Sequence, residues 1–207
     1  GYNPDVKKYT YDLKAAASVL SQAGWSDQNN DGAKEKDDKT LSFEIITTDS
    51  PELVRVSENV ADQWKKIGVK ATIKQVDLTT LDKDYLQTRN FDILIFGESM
   101  GTDSDPYPYW HSSQTDYPGL NISGFANGEA DKLLEEARQS SDTNTKIKDY
   151  KKFQDLIAEE IPAIFLYQPV YIYKVYDKVK GVDLSSITNT YDRFYDINDW
   201  FVKYKKK

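Results

Sequence analysis

The chain has 207 residues, Lys+Arg 27 against Asp+Glu 34, one His, no Cys and a formal net charge of −7. That length suits one large domain or two small ones with a buried core. The absence of Cys removes disulfides, thiolate nucleophiles, zinc–thiolate and iron–sulfur sites; a single His removes His-rich metal centres; and a pI near 4.9 argues against a nucleic-acid partner.

Aromatic residues make up 13% of the chain, more than a disordered polypeptide carries. No apolar run reaches the length of a membrane span, and Gly1-Tyr2-Asn3-Pro4 has neither the basic nor the apolar part of a signal peptide. Either the protein is not exported, or its true N-terminus precedes Gly1.

Taken in chain order, Leu13, Ala16, Ala17 and Leu20 recur at helical spacing within 11–23, with Asp12 as the cap and Gly24 as the stop. Asp27-Gln28-Asn29-Asn30-Asp31-Gly32 is a loop. Leu41, Phe43 and Ile45 alternate as a strand. Ser50-Pro51 opens a helix whose face carries Leu53, Val56, Val60, Trp64 and Ile67, and Gly68 ends it. Val69, Ala71 and Ile73 alternate as a second strand, completing a right-handed βαβ unit. A short helical stretch follows near 78–86. The run Phe91-Asp92-Ile93-Leu94-Ile95-Phe96 predicts a central strand covered on both faces.

From Gly97 to Gly128 the chain is rich in Gly, Pro, Ser, Asp and aromatics, a length that calls for short helices or a functional loop. Two amphipathic helices come next, one with Leu133, Leu134 and Ala137, the other with Ile147, Tyr150, Phe153, Leu156 and Ile157. Beyond Pro162, residues 163–167 and 171–175 predict strands, and the tail from Gly181 is polar and aromatic. Alternating strands and helices give an α/β fold with helices flanking a mixed sheet.

The loop after the predicted central strand is where open α/β sheets gather ligands. Asp103 and Asp105 stand there among aromatics, a setting suited to a cationic group. Asp105 before Pro106 reads as a helix cap; Asp103 stays open between turn former and ligand carboxylate. His111, beside Trp110, reads as a packed structural residue rather than a catalytic base, and Ser112 and Ser113 lack the G-x-S-x-G elbow. Asp27-x-Asn29-x-Asp31-Gly32 matches the first half of a calcium loop, with Ala33 at position seven, Glu35 at nine and Asp38 at twelve. Asp at twelve reaches less well than Glu and Lys34 occupies an apolar position, so a solvated loop is favoured over a calcium site.

The order of these motifs is itself informative. Leu20-Ser21-Gln22-Ala23-Gly24-Trp25, the Asp/Asn/Gly loop, Trp64-Lys65-Lys66-Ile67-Gly68-Val69, Phe91-Asp92-Ile93-Leu94, Asp103-Ser104-Asp105-Pro106, Trp110-His111-Ser112-Ser113 and Asn121 to Asp131 follow one another. Together, from about Tyr11 to about Val182, they resemble the C-terminal lobe of the family 5 extracellular solute-binding proteins, the oligopeptide, dipeptide and nickel receptors of ABC importers.

The resemblance implies a periplasmic-binding-protein-like class II lobe, with 1–182 as the ligand-binding lobe and 183–207 as a tail returning to an N-terminal lobe. A signal peptide and lipid anchor would precede Gly1, placing the protein at the extracellular face of the membrane or in the periplasm. It implies a binding protein, not an enzyme, whose partners are a short peptide, the N-terminal lobe and a membrane permease. Asp103 matches the position that pairs with a peptide α-ammonium, and Met100 replaces a Trp there; Gly101, Thr102 and Tyr167 would line the cleft. Asp105, Pro106, Trp110 and Asn121 would frame the loop. No cofactor is implied; the one candidate is calcium at Asp27, Asn29, Asp31 and Asp38. A sugar or nickel chelate as ligand, or a surface adhesion role, are the alternatives. One jaw leaves much of a ligand uncovered, whereas ligand sites cover about 70–90%, so weak binding by this chain alone is expected.

Overall fold

The computed structural model describes residues 2–100, 105–185, 187 and 190–203. The chain forms two compact units, one of residues 1–98 and 106–162, the other of residues 99–105 and 163–207.

In the first unit, helix α1 (Leu13–Gln22) starts where Asp12 accepts the N–H groups of Lys14 and Ala15 at 2.8 and 3.0 Å, and stops before Gly24 at φ +88°. A small hairpin follows, β1 (Glu35–Lys36) with β2 (Lys39–Thr40). Its two turn residues, Asp37 and Asp38, both take positive φ, the geometry that suits a two-residue hairpin.

The main sheet consists of β3 (Ser42–Thr48), β4 (Lys70–Val76) and β5 (Ile93–Ile95), in the order β4-β3-β5 with every pair parallel. Antiparallel pairing occurs in separate two-stranded ladders, so the expected mixture is divided between sheets. Helix α2 (Pro51–Lys65) crosses from β3 to β4, with Ser50 at the N-cap position and Pro51 first in the helix. Trp64 of α2 meets Phe43 of β3 edge to face at 5.9 Å, which puts Phe43, Ile45 and Thr47 on the α2 face.

The opposite face carries Ile46, packed with Leu81 and Tyr85. Both lie in the π-helical turn Leu81–Leu86, which continues the short helix α3 (Leu78–Thr80), itself capped by Asp77. β3, not β5, is therefore the central described strand, correcting the expectation for residues 91–96. The continuous apolar run reports cover on the faces: Phe91 and Leu94 pack on the Ile46 cluster. It carries no information about how many edges are paired.

The second core of this unit lies between α5 (Gly128–Gln139) and α6 (Thr143–Glu160). Phe125, Ala130, Leu133, Leu134, Phe153 and Ile157 are buried together, with Tyr107 and Trp110 against them. Asn127 caps α5 through Glu129 N and Ala130 N, and Asp142 caps α6 through Asn144 N and Thr145 N. The N-terminal segment is tied to α6: buried Asn3 donates its amide to Asp155 at 2.7 Å and its backbone N–H to Gln154 at 2.9 Å.

In the second unit, the strands expected at 163–167 and 171–175 are absent. Ile164, Phe165, Val170 and Ile172 are exposed. The sequence pattern is that of strands, but a strand is defined by a ladder with a neighbouring strand, and among the described residues this stretch belongs to none. Among the described residues of this unit, strand pairing is that of β6 (Val179–Lys180) with β7 (Phe201–Val202), antiparallel. A ring cluster lies nearby, with Trp200 at 6.5 Å from Tyr173 and 5.9 Å from Phe194.

Candidate functional site

β3 and β5 run parallel, so their carboxyl ends lie at the same edge of the sheet, the usual place for a ligand crevice in open α/β folds. Thr47 fixes this edge by donating its buried hydroxyl to Ile95 O at 3.1 Å. The chain leaves it through Phe96, Gly97 and Glu98, all solvent-exposed. Loss of surrounding water pushes the Glu98 carboxyl up from its ordinary value, although the side chain still meets solvent.

Gly101, Thr102 and Asp103, the expected ligand-facing residues, lie outside the described residues. Met100 and Tyr167 fall in the second unit and are 41% and 49% exposed. Asp105 is not the helix cap that its position before Pro106 predicts. The short helix α4 (Tyr107–Trp110) has Pro106 itself at the N-cap position, with φ −78° and ψ −10°, and no side-chain cap bond. Helical backbone at Pro106 shifts the boundary one residue beyond Asp105.

After α4, a hydrogen-bonded network surrounds His111, which is 7% exposed. Ser113 N–H points at His111 Nδ1 at 3.1 Å, so that nitrogen carries no proton and also receives the Ser113 hydroxyl at 2.9 Å. The ring proton is on Nε2, donated to Glu135 Oε1 at 3.3 Å, with Asp131 Oδ1 3.8 Å away. Asp131 in turn accepts Ser112 N at 2.8 Å and Ser112 Oγ at 2.5 Å. Tyr107 stacks on the imidazole at 4.1 Å between centroids, and the Arg138 guanidinium lies 4.2 Å above Tyr107.

Both ring nitrogens of His111 are thus engaged, and the Ser112 hydroxyl is held by a carboxylate. The arrangement suits holding a turn more than activating a nucleophile. Asn121, fully buried, donates its amide to His111 O at 3.2 Å and Phe125 O at 2.9 Å, while Ser123 Oγ donates to its Oδ1 at 2.9 Å. Trp110 meets Phe125 and Phe153 edge to face, each at 6.3 Å. The structure therefore brings Trp110, His111 and Asn121 together. The α5 partners Asp131, Glu135 and Arg138 were not singled out in the sequence. Asp131 and Glu135 are one helical turn apart, a spacing that places both on one face, but nothing local says that the face meets His111.

Arg89 braces the segment from Thr115 to Gly119. Its guanidinium donates to Thr115 O at 3.0 Å, to Gly119 O at 2.6 Å and to Leu86 O.

At the other candidate site, Asp27 Oδ2 accepts Gly32 N at 3.0 Å, Asn29 Oδ1 accepts Asp31 N at 2.9 Å, and Asp31 Oδ1 accepts Ala33 N at 2.8 Å. Lys70 Nζ sits 3.1 Å from Asp31 Oδ2. The Ala33 N–H first and the Lys70 ammonium second hold the Asp31 carboxyl below its usual range. Asp38 is at the β1–β2 turn, two residues past the end of β1. Among the described residues, no three His, Asp or Glu side chains are grouped closely enough to hold a metal ion as they stand. Among those residues, too, no helix is long and apolar enough to cross a membrane.

The family model for bacterial extracellular solute-binding proteins, family 5 Middle, matches residues 1–119. The oligopeptide-binding protein AppA of Bacillus subtilis is 37% identical over 170 residues, covering 80% of this chain and 31% of that protein. The dipeptide-binding protein of Escherichia coli is 26% identical over 192 residues, covering 87% of this chain and 33% of its own length. The structure of AppA with a nonapeptide superposes with a TM-score of 0.77 at 30% identity, covering 98% of this chain and 40% of that one. NikZ of Campylobacter jejuni with Ni(L-His) gives 0.76 at 25% identity, covering 98% and 41%. The chain spans about a third of the length of the relatives matched by sequence.

Proposed function

Because the chain belongs to the bacterial extracellular solute-binding proteins, family 5, we propose that it forms part of the substrate-binding component of an ABC importer that captures short peptides. In this reading, residues 1–182 are one lobe of a two-lobe receptor, and 183–207 return to the other. Closure of the lobes surrounds the ligand, and the closed form docks on a membrane permease. The receptor works at the extracellular face of the membrane or in the periplasm, exported and lipid-anchored through a segment preceding Gly1. It binds without chemistry, and His111 serves the loop as a brace.

The observation that carries this reading is the likeness to AppA, a peptide-bound relative, along 98% of the chain. The position of Asp103 supports it. In sequence it follows β5 by eight residues, and a carboxylate there is suited to pair with a peptide α-ammonium. Met100, three residues earlier in sequence, would supply a flexible, polarizable wall for varied side chains.

The test is calorimetric binding of a mixed short-peptide library to the full-length receptor, as wild type and as Asp103→Ala, with an N-acetylated library as control. Binding lost both on mutation and on acetylation supports Asp103 as the ammonium anchor. Binding that survives both, or no binding, overturns the peptide reading. The likeness to NikZ with Ni(L-His) favours a metal chelate as the second reading, and titration of the same receptor with nickel and histidine decides between them.

A further inference from the structure

We propose that the loop from Asp27 to Glu35 is a site for a divalent, oxygen-seeking cation of the calcium class, with Glu35 as its buried ligand. The proposal is independent of which solute the receptor carries.

Two observations support it separately. The first is the spacing: oxygen-bearing side chains at 27, 29 and 31, then Gly32, place alternate ligands on the inside of a tight turn. The turn is formed, and the Asp27–Gly32, Asn29–Asp31 and Asp31–Ala33 bonds each use only one lone pair of an oxygen that has two. The second observation is Glu35. It is 8% exposed, and Gln28 N–H holds its Oε2 against the loop at 2.9 Å. Its other oxygen, Oε1, is buried and has no hydrogen-bond partner. A buried carboxylate oxygen without a donor is costly, and a cation in the adjoining loop is the ligand that relieves it.

The same geometry sets the limits of the site. The twelfth position of a full calcium loop, Asp38, is at the hairpin turn beyond Lys36, so Glu35 at position nine takes over the distal role. Lys70 already brings a positive charge to Asp31, at 3.1 Å and half exposed. It is the competitor that an incoming ion displaces at Asp31; among the described residues the three carboxylates do not converge as they stand, so binding requires them to close on the ion. With no bidentate twelfth ligand and a competing ammonium, affinity belongs to the weak class of extracellular modules, about 10⁻⁴–10⁻³ M.

The experiment uses the full 207-residue chain, stripped with chelator and titrated with calcium chloride by calorimetry and by thermal unfolding. Magnesium chloride and potassium chloride at matched ionic strength are the controls. The expected result is saturable calcium binding and a Tm rise of about 4 °C at ten times the dissociation constant. Magnesium should give less, and potassium only a screening effect. Glu35→Gln should abolish the calcium-specific rise, and Asp27→Asn provides the same test should Glu35→Gln fail to fold. Lys70→Met, which removes the competitor, should tighten calcium binding several-fold. Absence of a saturable calcium response in the parent chain overturns the proposal. Calcium binding unchanged by both Glu35→Gln and Asp27→Asn also overturns it. Lys70→Met that loses stability without tightening calcium would make Lys70 the loop's permanent cation, and the ion site would fall.

Discussion

Asn121 ties together the segment between α4 and α5, and replacing it separates two physical effects. Its amide nitrogen serves two carbonyls, His111 O and Phe125 O, that belong to residues 7% and 6% exposed. Asn121→Ala leaves both carbonyls and the Ser123 hydroxyl without this partner. At about 1–3 kcal/mol for each buried group left unsatisfied, with some relief from entering water, the loss is about 3 kcal/mol. With a urea m-value of about 2 kcal/mol/M, the midpoint falls by about 1.5 M.

Asn121→Asp keeps the shape but turns an oxygen toward the two carbonyls. Ionisation then becomes unfavourable in the folded state, and the folded carboxyl value rises above the unfolded one. Stability of this variant should therefore be nearest to normal at low pH. It should fall, by up to about 1.4 kcal/mol per pH unit, as pH rises from the unfolded value, near 4, toward the folded one. Relative to the parent, Asn121→Ala should show a pH-independent loss. Urea unfolding followed by tryptophan fluorescence and far-UV circular dichroism from pH 4 to 7 reads both. An Ala variant within about 0.5 kcal/mol of the parent, or an Asp variant whose deficit does not grow with pH, would refute the reasoning.

Other consequences are accessible to the same measurements. Leu134→Ala, at a fully buried position between α5 and α6, should cost about 3–4 kcal/mol in urea unfolding. Asn127→Ala removes the α5 cap and its bond to Glu160, and should cost about 1 kcal/mol, with Asn127→Asp recovering the cap but not the Glu160 bond. Gly119→Ala would put a Cβ 2.2 Å from Gln114 O, a backbone atom that cannot swing aside; a destabilisation of about 2–3 kcal/mol is expected. Bonds from Thr80 and Thr145, respectively, lower the Asp77 and Asp142 carboxyls below their ordinary values. Their stabilisation is complete above the unfolded value, near 4, and lost as pH falls through the lower folded values. Thermal scans below pH 4 should thus show less acid sensitivity when both are changed to Asn.

Local signals made the first unit largely readable. Asp12, Gly24, Ser50-Pro51 and Gly68 mark helix ends by their own conformational preferences, and alternation in 41–47 and 69–73 places one strand face inward. These depend on neighbours a few residues away. The status of residues 91–96 does not: an apolar strand covered on both faces has the same composition at the centre of a sheet or at its edge. The π-helical turn at Leu81–Leu86 has no sequence mark distinct from an ordinary helix. For the His111 network, Trp110-His111-Ser112-Ser113 was visible as a cluster, but its carboxylate partners arrive from α5 through tertiary packing. Glu35 could be counted as position nine in the loop; that one of its oxygens is buried and unpartnered requires the fold.

The apolar stretch after α6 has a further consequence, for the behaviour of the protein in solution. From Ile161 to Tyr173 there is no charged residue, and Ile164-Phe165-Leu166-Tyr167 combines high strand propensity with exposed apolar side chains. Segments of this kind template intermolecular cross-β association, and prolines interrupt it because they cannot donate to a ladder. Pro162 and Pro169 bracket the most apolar part and act as gatekeepers. Their removal should lower the concentration at which the chain begins to form thioflavin-positive aggregates, while a Lys at Phe165 should raise it.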